Sequence, residues 1–306
     1  MGRIAFVFSG QGAQCAGMGK SLYEGSPAAK SLMDELERIR PGTLAQCFDG
    51  TEEELQDTKN TQPCIFAVSS MAAAALREQG LSPNVLAGFS LGEVTALTFG
   101  EAFSAADGFS LVVRRGELMA KAAADASGAM AAVMKLSASE VETLAANYSK
   151  VYPVNYNSPG QTVVAGDAEE LTAFRAAVKE AGGRAIPLKV GGGFHSPYMA
   201  SASTAFEEAL SAFAIGRLQY PIYANLTAQP YDADNVAGTL VRQMVSPVRW
   251  QETVENMIAD GVTTFIEVGP GKTLKTLITK CTDKAAAYHV EDMDSLHETI
   301  RALSAQ

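Results

Sequence analysis

Short apolar runs alternate along the chain with stretches of helical periodicity. The apolar runs predict four strands, at residues 3–8, 84–89, 221–225 and 263–268. Helical patterns follow them, beginning at Leu91, Ser104, Tyr198 and Val248. Because strands that alternate with helices are joined by helical crossovers, this order predicts an α/β fold with a parallel sheet as its core.

The segment 127–191 has a different order of elements. It predicts a strand, a helix, two strands, a helix and a strand, with a turn at residues 157–160 between the two middle strands. The order βαββαβ is typical of a ferredoxin-like unit. The sequence therefore predicts a ferredoxin-like small subdomain at residues 127–191. It is inserted into a larger α/β unit formed by residues 1–126 and 192–306.

The composition restricts the class of protein. The 306 residues are 47% hydrophobic and 19% charged, which is ordinary for a packed soluble enzyme. The net charge of -10 argues against a general nucleic-acid binder, because phosphate binding needs a basic surface. The chain opens with a predicted strand rather than a secretion signal, and its longest apolar segment, 60–76, is too short and polar to span a membrane. We therefore expect a cytoplasmic protein that binds neither nucleic acid nor membrane.

The sequence contains no complete metal or nucleotide motif. The four cysteines form no Cys-x-x-Cys pair and the three histidines no His-x-x-x-His pair, so we expect free thiols and no metal site. One glycine-rich segment has Cys15 where a dinucleotide-binding motif needs its third glycine. Another glycine-rich segment has Ile266 where a phosphate-binding loop needs its first glycine. Tight turns at strand ends explain both segments.

The stretch Gly88-Phe89-Ser90-Leu91-Gly92 matches the pattern Gly-x-Ser-x-Gly. In a nucleophile elbow, a sharp strand-to-helix turn between two glycines projects the serine hydroxyl into a cleft. The predicted strand before Ser90 and the predicted helix after it agree with an elbow. A serine that merely lies between two glycines remains the alternative, because the pattern is short.

A serine nucleophile needs a base, and histidine suits that role near neutral pH. His289 and His297 lie in a C-terminal region that we interpret as polar and helical, which favours solvated surface positions. His195 lies in the glycine-rich segment "VGGGFHSPYM", a loop in which the backbone can approach closely. His195 is therefore the best candidate for the base, with a structural role as the alternative.

Two adjacent arginines differ in helical phase. Arg115 falls on the same face as Leu111 and Leu118, whereas Arg114 falls on the opposite face with Glu117. A buried guanidinium is costly unless an anion accepts its hydrogen bonds. That anion is either an internal Asp or Glu, or a carboxylate that arrives with the substrate.

Nine segments together resemble the malonyl-CoA:acyl carrier protein transacylases of bacterial fatty acid synthesis. The resemblance extends over nearly the whole chain, and the segments occur in this order: "FVFSGQGAQ", "TQP", "GFSLGE", "RRGELM", "GAMAAV", "NYNSPGQTVVAG", "GGFHSPYM", "VRQMVSPVRW" and "EVGPGK". The resemblance implies that the larger unit, residues 1–126 and 192–306, is an α/β-hydrolase-like catalytic subdomain. It also implies a two-step reaction. Ser90 takes the malonyl group from malonyl-CoA as an ester and passes it to the phosphopantetheine thiol of acyl carrier protein.

The same resemblance implies a role for each site residue. His195 is the general base and acid, and Arg115 binds the free malonyl carboxylate. The backbone N–H groups of Gln11 and Leu91 form the oxyanion hole, and the backbone carbonyl of Gln243 orients His195. Three further residues are expected to line the site: Gln62, Phe89 and Phe194. The resemblance also implies a monomer with no bound cofactor or metal, whose substrates are malonyl-CoA and the carrier arm.

Two positions depart from the family pattern. Phe89 stands where the family usually has histidine, and Ser9 stands where it usually has proline. Neither replaces a catalytic group, but Phe89 removes a polar group beside the nucleophile and leaves the fine acyl selectivity open. The "FHS" at residues 194–196 resembles the malonyl-selective form of the loop.

Three other functions would share some or all of the sequence features. A discrete acyltransferase that serves a polyketide synthase would share every site residue. A serine hydrolase would share the elbow, the base and the oxyanion hole, but would not need Arg115. A noncatalytic carrier-binding scaffold would need none of them. Because both this chain and its expected carrier are acidic, docking would require a local basic patch, which the sequence does not locate.

Overall fold

The computed structural model describes residues 2–305 and contains two separate β-sheets. The larger sheet has five parallel strands in the order β7-β2-β1-β8-β9, and the smaller has four antiparallel strands in the order β4-β5-β3-β6. The strands are β1 (Arg3–Phe8), β2 (Val85–Gly88), β3 (Gly128–Met134), β4 (Val151–Ser158), β5 (Gln161–Asp167), β6 (Arg184–Pro187), β7 (Ile222–Tyr223), β8 (Val262–Val268) and β9 (Ala286–Val290).

Helices surround both sheets. They are α1 (Lys20–Gly25), α2 (Pro27–Ile39), α3 (Thr43–Asp49), α4 (Glu52–Gln56), α5 (Thr58–Glu78), α6 (Leu91–Phe99), α7 (Ala105–Asp125), α8 (Ala138–Ala145), α9 (Ala168–Glu180), α10 (Ala200–Leu210), α11 (Val236–Gln243), α12 (Trp250–Ala259), α13 (Thr273–Cys281) and α14 (Met293–Ser304). Short 3₁₀ helices lie at Pro197–Met199 and Ala233–Asn235.

The larger sheet is covered on both faces, which explains why β1 is an unbroken apolar run rather than an alternating one. Phe6 and Phe8 point into a core shared with α5 and α7. Ala5 and Val7 point the other way, into a core shared with α12 and α13. All four side chains are fully buried. The central strand is therefore fixed between two packed layers.

The smaller sheet has its own core, which it shares with α8 and α9. It is joined to the larger unit through β4, because Val248 donates its N–H to the Val154 carbonyl at 2.9 Å and accepts from Tyr156 at 2.9 Å. The predicted fold class, a parallel-sheet α/β unit with a separate small unit of order βαββαβ, is confirmed. The subdomain boundaries remain predictions, and their outermost residues, 1 and 306, lie outside the described part of the chain.

The prediction for the C-terminal histidines was wrong for one of them. His289 lies on β9 rather than on a helix, pairs with Glu267 of β8, and is only partly exposed beside Glu291. This strand was missed because it is an edge strand of five residues, "AAYHV", with no long apolar run. His297 lies exposed on α14, as the sequence suggested.

The five helices between β1 and β2 were not predicted individually from the sequence. The longest of them, α5, contains the apolar segment 60–76 that was rejected as a membrane span, and it is buried against the larger sheet. In residues 2–305, no helix has both the length and the apolar character that crossing a membrane requires.

Helix α6 begins directly after β2 and lies against β1 at a point where only glycine fits. A Cβ atom on Gly92 would lie 2.1 Å from the Phe8 carbonyl oxygen. The opposing atom belongs to the backbone of the central strand, so it cannot move aside at low cost. The glycine after the serine is therefore a packing requirement of the turn.

We predict that Gly92→Ala lowers the free energy of unfolding by about 1–3 kcal/mol, because the added methyl group forces β1 and α6 apart. Chemical denaturation of the two proteins measures the difference. Gly191→Ala is the matched control, since a Cβ atom there meets nothing within 4 Å. Equal stability of Gly92→Ala and the unsubstituted protein would contradict the packing argument.

Candidate active site

Ser90 lies at the turn between β2 and α6 with φ 53° and ψ -102°. A non-glycine residue seldom adopts a positive φ, and the surrounding structure must hold it there. Asn225 provides that support: its Oδ1 accepts from the Ser90 N–H at 2.7 Å, and its Nδ2 donates to the Gly88 carbonyl at 2.7 Å. The sharp turn therefore rests on a side chain 135 residues further along the chain.

His195 lies beside this turn and contacts the serine directly. Its Nε2 is 2.6 Å from Ser90 Oγ, and its Nδ1 is 2.9 Å from the backbone carbonyl oxygen of Gln243. A carbonyl only accepts, so the neutral ring carries its proton on Nδ1 and offers the Nε2 lone pair to the serine hydroxyl. The arrangement suits His195 to accept the Ser90 hydroxyl proton, while a main-chain carbonyl binds the opposite nitrogen of the ring.

The imidazole of His195 is neutral near pH 7. Burial lowers the pKa of His195, the nearby Arg115 guanidinium lowers it further, and together they bring it to about 4, although backbone groups of Gln243 and Ser246 oppose the shift. A neutral imidazole can take a proton from Ser90, whereas an imidazolium cannot. The environment therefore keeps the imidazole neutral over the physiological pH range.

Arg115 is fully buried on α7, on the inward face that its helical phase predicts. Its Nη1 donates to Gln62 Oε1 at 2.8 Å, and its Nη2 donates to Gln243 Oε1 at 3.0 Å and to Ser90 Oγ at 3.2 Å. Within residues 2–305 its Nε has no partner, and none of the ion pairs includes it. A guanidinium with unused donors and no carboxylate is suited to receive an anion from outside the protein.

The neighbouring Arg114 has the opposite environment. It is exposed and pairs with Glu117 at 3.1 Å on the surface of α7. Burial lowers the pKa of Arg115 to about 10, which leaves it charged at neutral pH, and Glu93 opposes that shift. The two adjacent arginines therefore provide a matched pair, one at the site and one in solvent.

Two backbone N–H groups border the serine. Leu91 is the first residue of α6, where helix N–H groups have no intrahelical acceptor, and Gln11 lies in the loop after β1 and lines the same cavity as Ser90. In the described part of the chain, neither N–H has a protein acceptor. Both N–H groups therefore remain available as hydrogen-bond donors.

The cavity lies between the two sheets, and most of its wall is apolar. Phe89 forms part of the wall and packs on Trp250 with ring centroids 5.6 Å apart, while Phe194 lines the cavity next to His195. Met130 and Val163 of the smaller sheet form the opposite wall. A cleft between two structural units that combines apolar walls with a few polar groups is typical of a binding site.

Gln62 lies buried on α5 beside Arg115 of α7. Its Oε1 accepts from the guanidinium at 2.8 Å, and its Nε2 donates to Met119 Sδ at 3.3 Å. Its contribution to the site therefore passes through Arg115.

Three residues at the site were not predicted from the sequence: Glu93, Asn225 and Tyr231. Glu93 is fully buried one turn after Ser90, and it accepts from Gln243 Nε2 at 2.8 Å, from the Asn225 N–H at 3.1 Å and from the Tyr231 hydroxyl. Burial raises the pKa of Glu93 to about 7 against the opposing effect of these hydrogen bonds. The signal that could have found it is a lone charge in the apolar helix "LGEVTALTF".

The described residues contain no group of three or more His, Cys, Asp or Glu side chains that could hold a metal ion. The polar groups of the site are suited to acyl transfer through a serine ester, with an anion bound close to the nucleophile.

Comparisons with known proteins agree with this geometry. A family model described as the acyl transferase domain matches residues 5–301. The malonyl CoA-acyl carrier protein transacylase of Bacillus subtilis is 38% identical over 310 residues, covering 99% of this chain and 98% of the relative. The crystal structure of the Clostridium perfringens transacylase of the same name superposes with a TM-score of 0.96 at 34% identity, covering 99% and 98% of the two chains.

A second solved structure contains a partner. It is described as a holo type II polyketide acyl carrier protein in complex with its malonyl-transacylase, and it superposes with a TM-score of 0.94 at 34% identity. The match covers 99% of this chain and 100% of that chain.

We predict that Arg115→Met raises the pKa of His195, because it removes the cation that opposes protonation of the ring, while burial still holds the pKa below its ordinary value. In the unsubstituted protein, the reaction of Ser90 with a fluorophosphonate should be lost as the pH falls through about 4. In Arg115→Met this loss should occur at higher pH. Arg114→Met is the control and should lose reactivity at the same pH as the unsubstituted protein. If Arg115→Met also lost reactivity at that same pH, the electrostatic argument would be contradicted.

Proposed function

This chain belongs to the malonyl-CoA:acyl carrier protein transacylases of the acyl transferase family, and on that basis we propose that it transfers malonyl from CoA to an acyl carrier protein. The observation that carries the proposal is the buried Arg115 next to the Ser90–His195 pair, with unused donors and no carboxylate partner. Malonyl differs from other short acyl groups in its terminal carboxylate. Arg115 is suited to bind it.

The first half-reaction loads the enzyme. Ser90 Oγ attacks the thioester carbonyl of malonyl-CoA while His195 Nε2 takes the hydroxyl proton. The N–H groups of Gln11 and Leu91 stabilise the tetrahedral oxyanion, a contribution of about 3–4 kcal/mol for a donor of this kind. The C–S bond then breaks, His195 returns the proton to the CoA sulfur, and the malonyl group remains as an ester on Ser90.

The second half-reaction unloads it by the reverse steps. The phosphopantetheine thiol of the carrier gives its proton to His195 and attacks the ester carbonyl. The C–O bond to Ser90 breaks, and the proton returns to Oγ. CoA and the carrier end in the same arm, so one cavity serves both substrates in turn.

The carbonyl of Gln243 in the orienting position of His195 has a chemical consequence. A neutral carbonyl stabilises an imidazolium less than a carboxylate would, which is compatible with an ester that persists until a thiol arrives. A serine hydrolase shares Ser90 and His195 but has no use for a buried arginine at the acyl site. The position of Arg115 therefore favours transfer of an acid-bearing acyl group over hydrolysis.

The identity of the acyl carrier protein distinguishes two candidate functions. Fatty acid synthesis is the function we propose, and a polyketide carrier is the second candidate, because one similar structure contains such a carrier. We further propose a cytoplasmic monomer that uses no bound cofactor. Transfer assays with each purified carrier distinguish the two candidates.

We predict that Arg115→Ala lowers malonyl loading of Ser90 on the order of 10–100-fold, because the carboxylate loses its charged donor. Loading from acetyl-CoA should fall less, so the ratio of malonyl to acetyl loading should drop. Intact-protein mass spectrometry after incubation with each CoA ester measures the loading. Arg114→Ala should retain the original ratio, and Ser90→Ala should carry no label.

Three results would oppose the proposal. An unchanged acyl ratio in Arg115→Ala would remove the assigned role of the arginine. Unsubstituted protein that gains no malonyl mass would favour a noncatalytic scaffold. Release of malonate to water, with none passed to a carrier thiol, would favour a hydrolase.

A further inference from the structure

The proposed reaction makes no use of Glu93, although this carboxyl group is fully buried close to the reacting atoms. Its three hydrogen bonds come from Tyr231, Gln243 and the Asn225 backbone. A buried carboxylate needs a compensating positive charge. In the described residues the one cation that influences it is Arg115 on α7, which lowers the pKa of Glu93.

The amide of Gln243 connects the two charges. Its Nε2 donates to Glu93 Oε2 at 2.8 Å, and its Oε1 accepts from Arg115 Nη2 at 3.0 Å. The Gln243 Nε2 also donates to the Ser90 carbonyl at 2.8 Å, which fixes the direction of the amide. Glu93 therefore neutralises Arg115 through one intervening side chain and makes no direct bond to the guanidinium.

An acyl carboxylate bound to Arg115 would bring a second negative charge to a buried site that holds one cation. Two anions that share one cation in a low-dielectric environment repel each other, and the site lowers its energy when one of them takes up a proton. The malonyl carboxylate bonds the guanidinium directly, whereas Glu93 reaches it through Gln243. Glu93 is therefore the group that protonates.

We propose that Glu93 and the substrate carboxylate alternate as the anion that neutralises Arg115. Glu93 takes up a proton when malonyl is loaded and gives it up when malonyl leaves. This inference rests on the proposed function. It makes Glu93 a specificity residue that sets the preference for acid-bearing acyl groups according to pH. The proton comes from solvent and returns to it, and no bond to the substrate changes.

The groups around Glu93 support a single titrating site. Arg115 from α7 and Tyr231 from the segment after β7 are the charged or titratable groups that act on it, and α5, β1 and β2 contribute none in the described residues. The pKa of Tyr231 is raised well above its ordinary value, so this phenol stays neutral. The pKa of Glu93 at about 7 places the exchange near neutral pH.

The decisive experiment measures protons during loading. Unsubstituted enzyme is mixed with malonyl-CoA or acetyl-CoA at pH 7 in weakly buffered solution with an indicator dye. Both loading reactions release CoA alike, so their difference reports the carboxylate. We expect malonyl loading to take up more protons than acetyl loading, by a fraction of a proton per enzyme, since part of Glu93 is ionised beforehand.

Glu93→Gln should abolish this difference and keep the fold, because a glutamine oxygen can accept from Gln243 and Asn225 while its NH₂ group faces the Tyr231 hydroxyl. In the unsubstituted enzyme, the malonyl-to-acetyl preference should fall on the order of tenfold as the pH rises through about 7, since ionised Glu93 repels the incoming carboxylate. In Glu93→Gln the preference should stay high at every pH. Tyr231→Phe removes a bond that stabilises the ionised form, so it should move this fall to higher pH.

Each alternative outcome has a separate meaning. Two results would overturn the exchange. One is equal proton uptake during loading from malonyl-CoA and from acetyl-CoA, with malonyl loading confirmed by mass. The other is a difference in proton uptake that persists in Glu93→Gln. A uniform loss of loading from both donors in Glu93→Gln, with an unchanged ratio, would assign Glu93 to the support of the serine turn instead. Failure of the unsubstituted enzyme to load malonyl would refute the proposed function itself, a result that mass spectrometry detects independently of the dye.

Discussion

The site depends on one electrostatic constraint, a guanidinium buried without a carboxylate in contact. Arg115 is held by neutral acceptors, the side-chain oxygens of Gln62 and Gln243, and its compensating charge lies one residue further away on Glu93. Direct pairing with a carboxylate would be more stable for the isolated arginine, but it would use the donors that face Ser90. The arrangement keeps the charge desolvated and available, and the same charge helps to keep His195 neutral.

Gln243 contacts the charged and reactive residues of the site. Its backbone carbonyl holds His195, while its side chain contacts Arg115, Glu93 and the Ser90 carbonyl. Because these groups come from the start of α6, from α7 and from the loop before α10, Gln243 of α11 fixes the relative position of three other segments that are remote in the chain. Networks of this kind are stable when every member is satisfied, and among the described residues Arg115 Nε is left without a partner.

The two sheets contribute different parts of the site. The parallel sheet holds the strained Ser90 turn, because β1 is packed on both faces and α6 starts against it at Gly92. The antiparallel sheet supplies the opposite wall of the cavity through Met130 and Val163. Backbone hydrogen bonds between β4 and Val248 tie the two units together. A cavity with apolar walls results, in which a few charges act strongly.

The sequence by itself determined the fold class, the position of the serine turn and the inward direction of Arg115, because each follows from local periodicity or from glycine spacing. It also favoured His195 over the other two histidines through its glycine-rich loop. It could not choose between an internal and an external anion for Arg115, and it missed the strand of His289, since a short edge strand leaves little pattern. Only the tertiary structure brought Asn225, Tyr231, Gln243 and Glu93 around Ser90. Their contacts join residues up to 153 positions apart, and no local pattern specifies which distant polar groups will satisfy one another in a buried network.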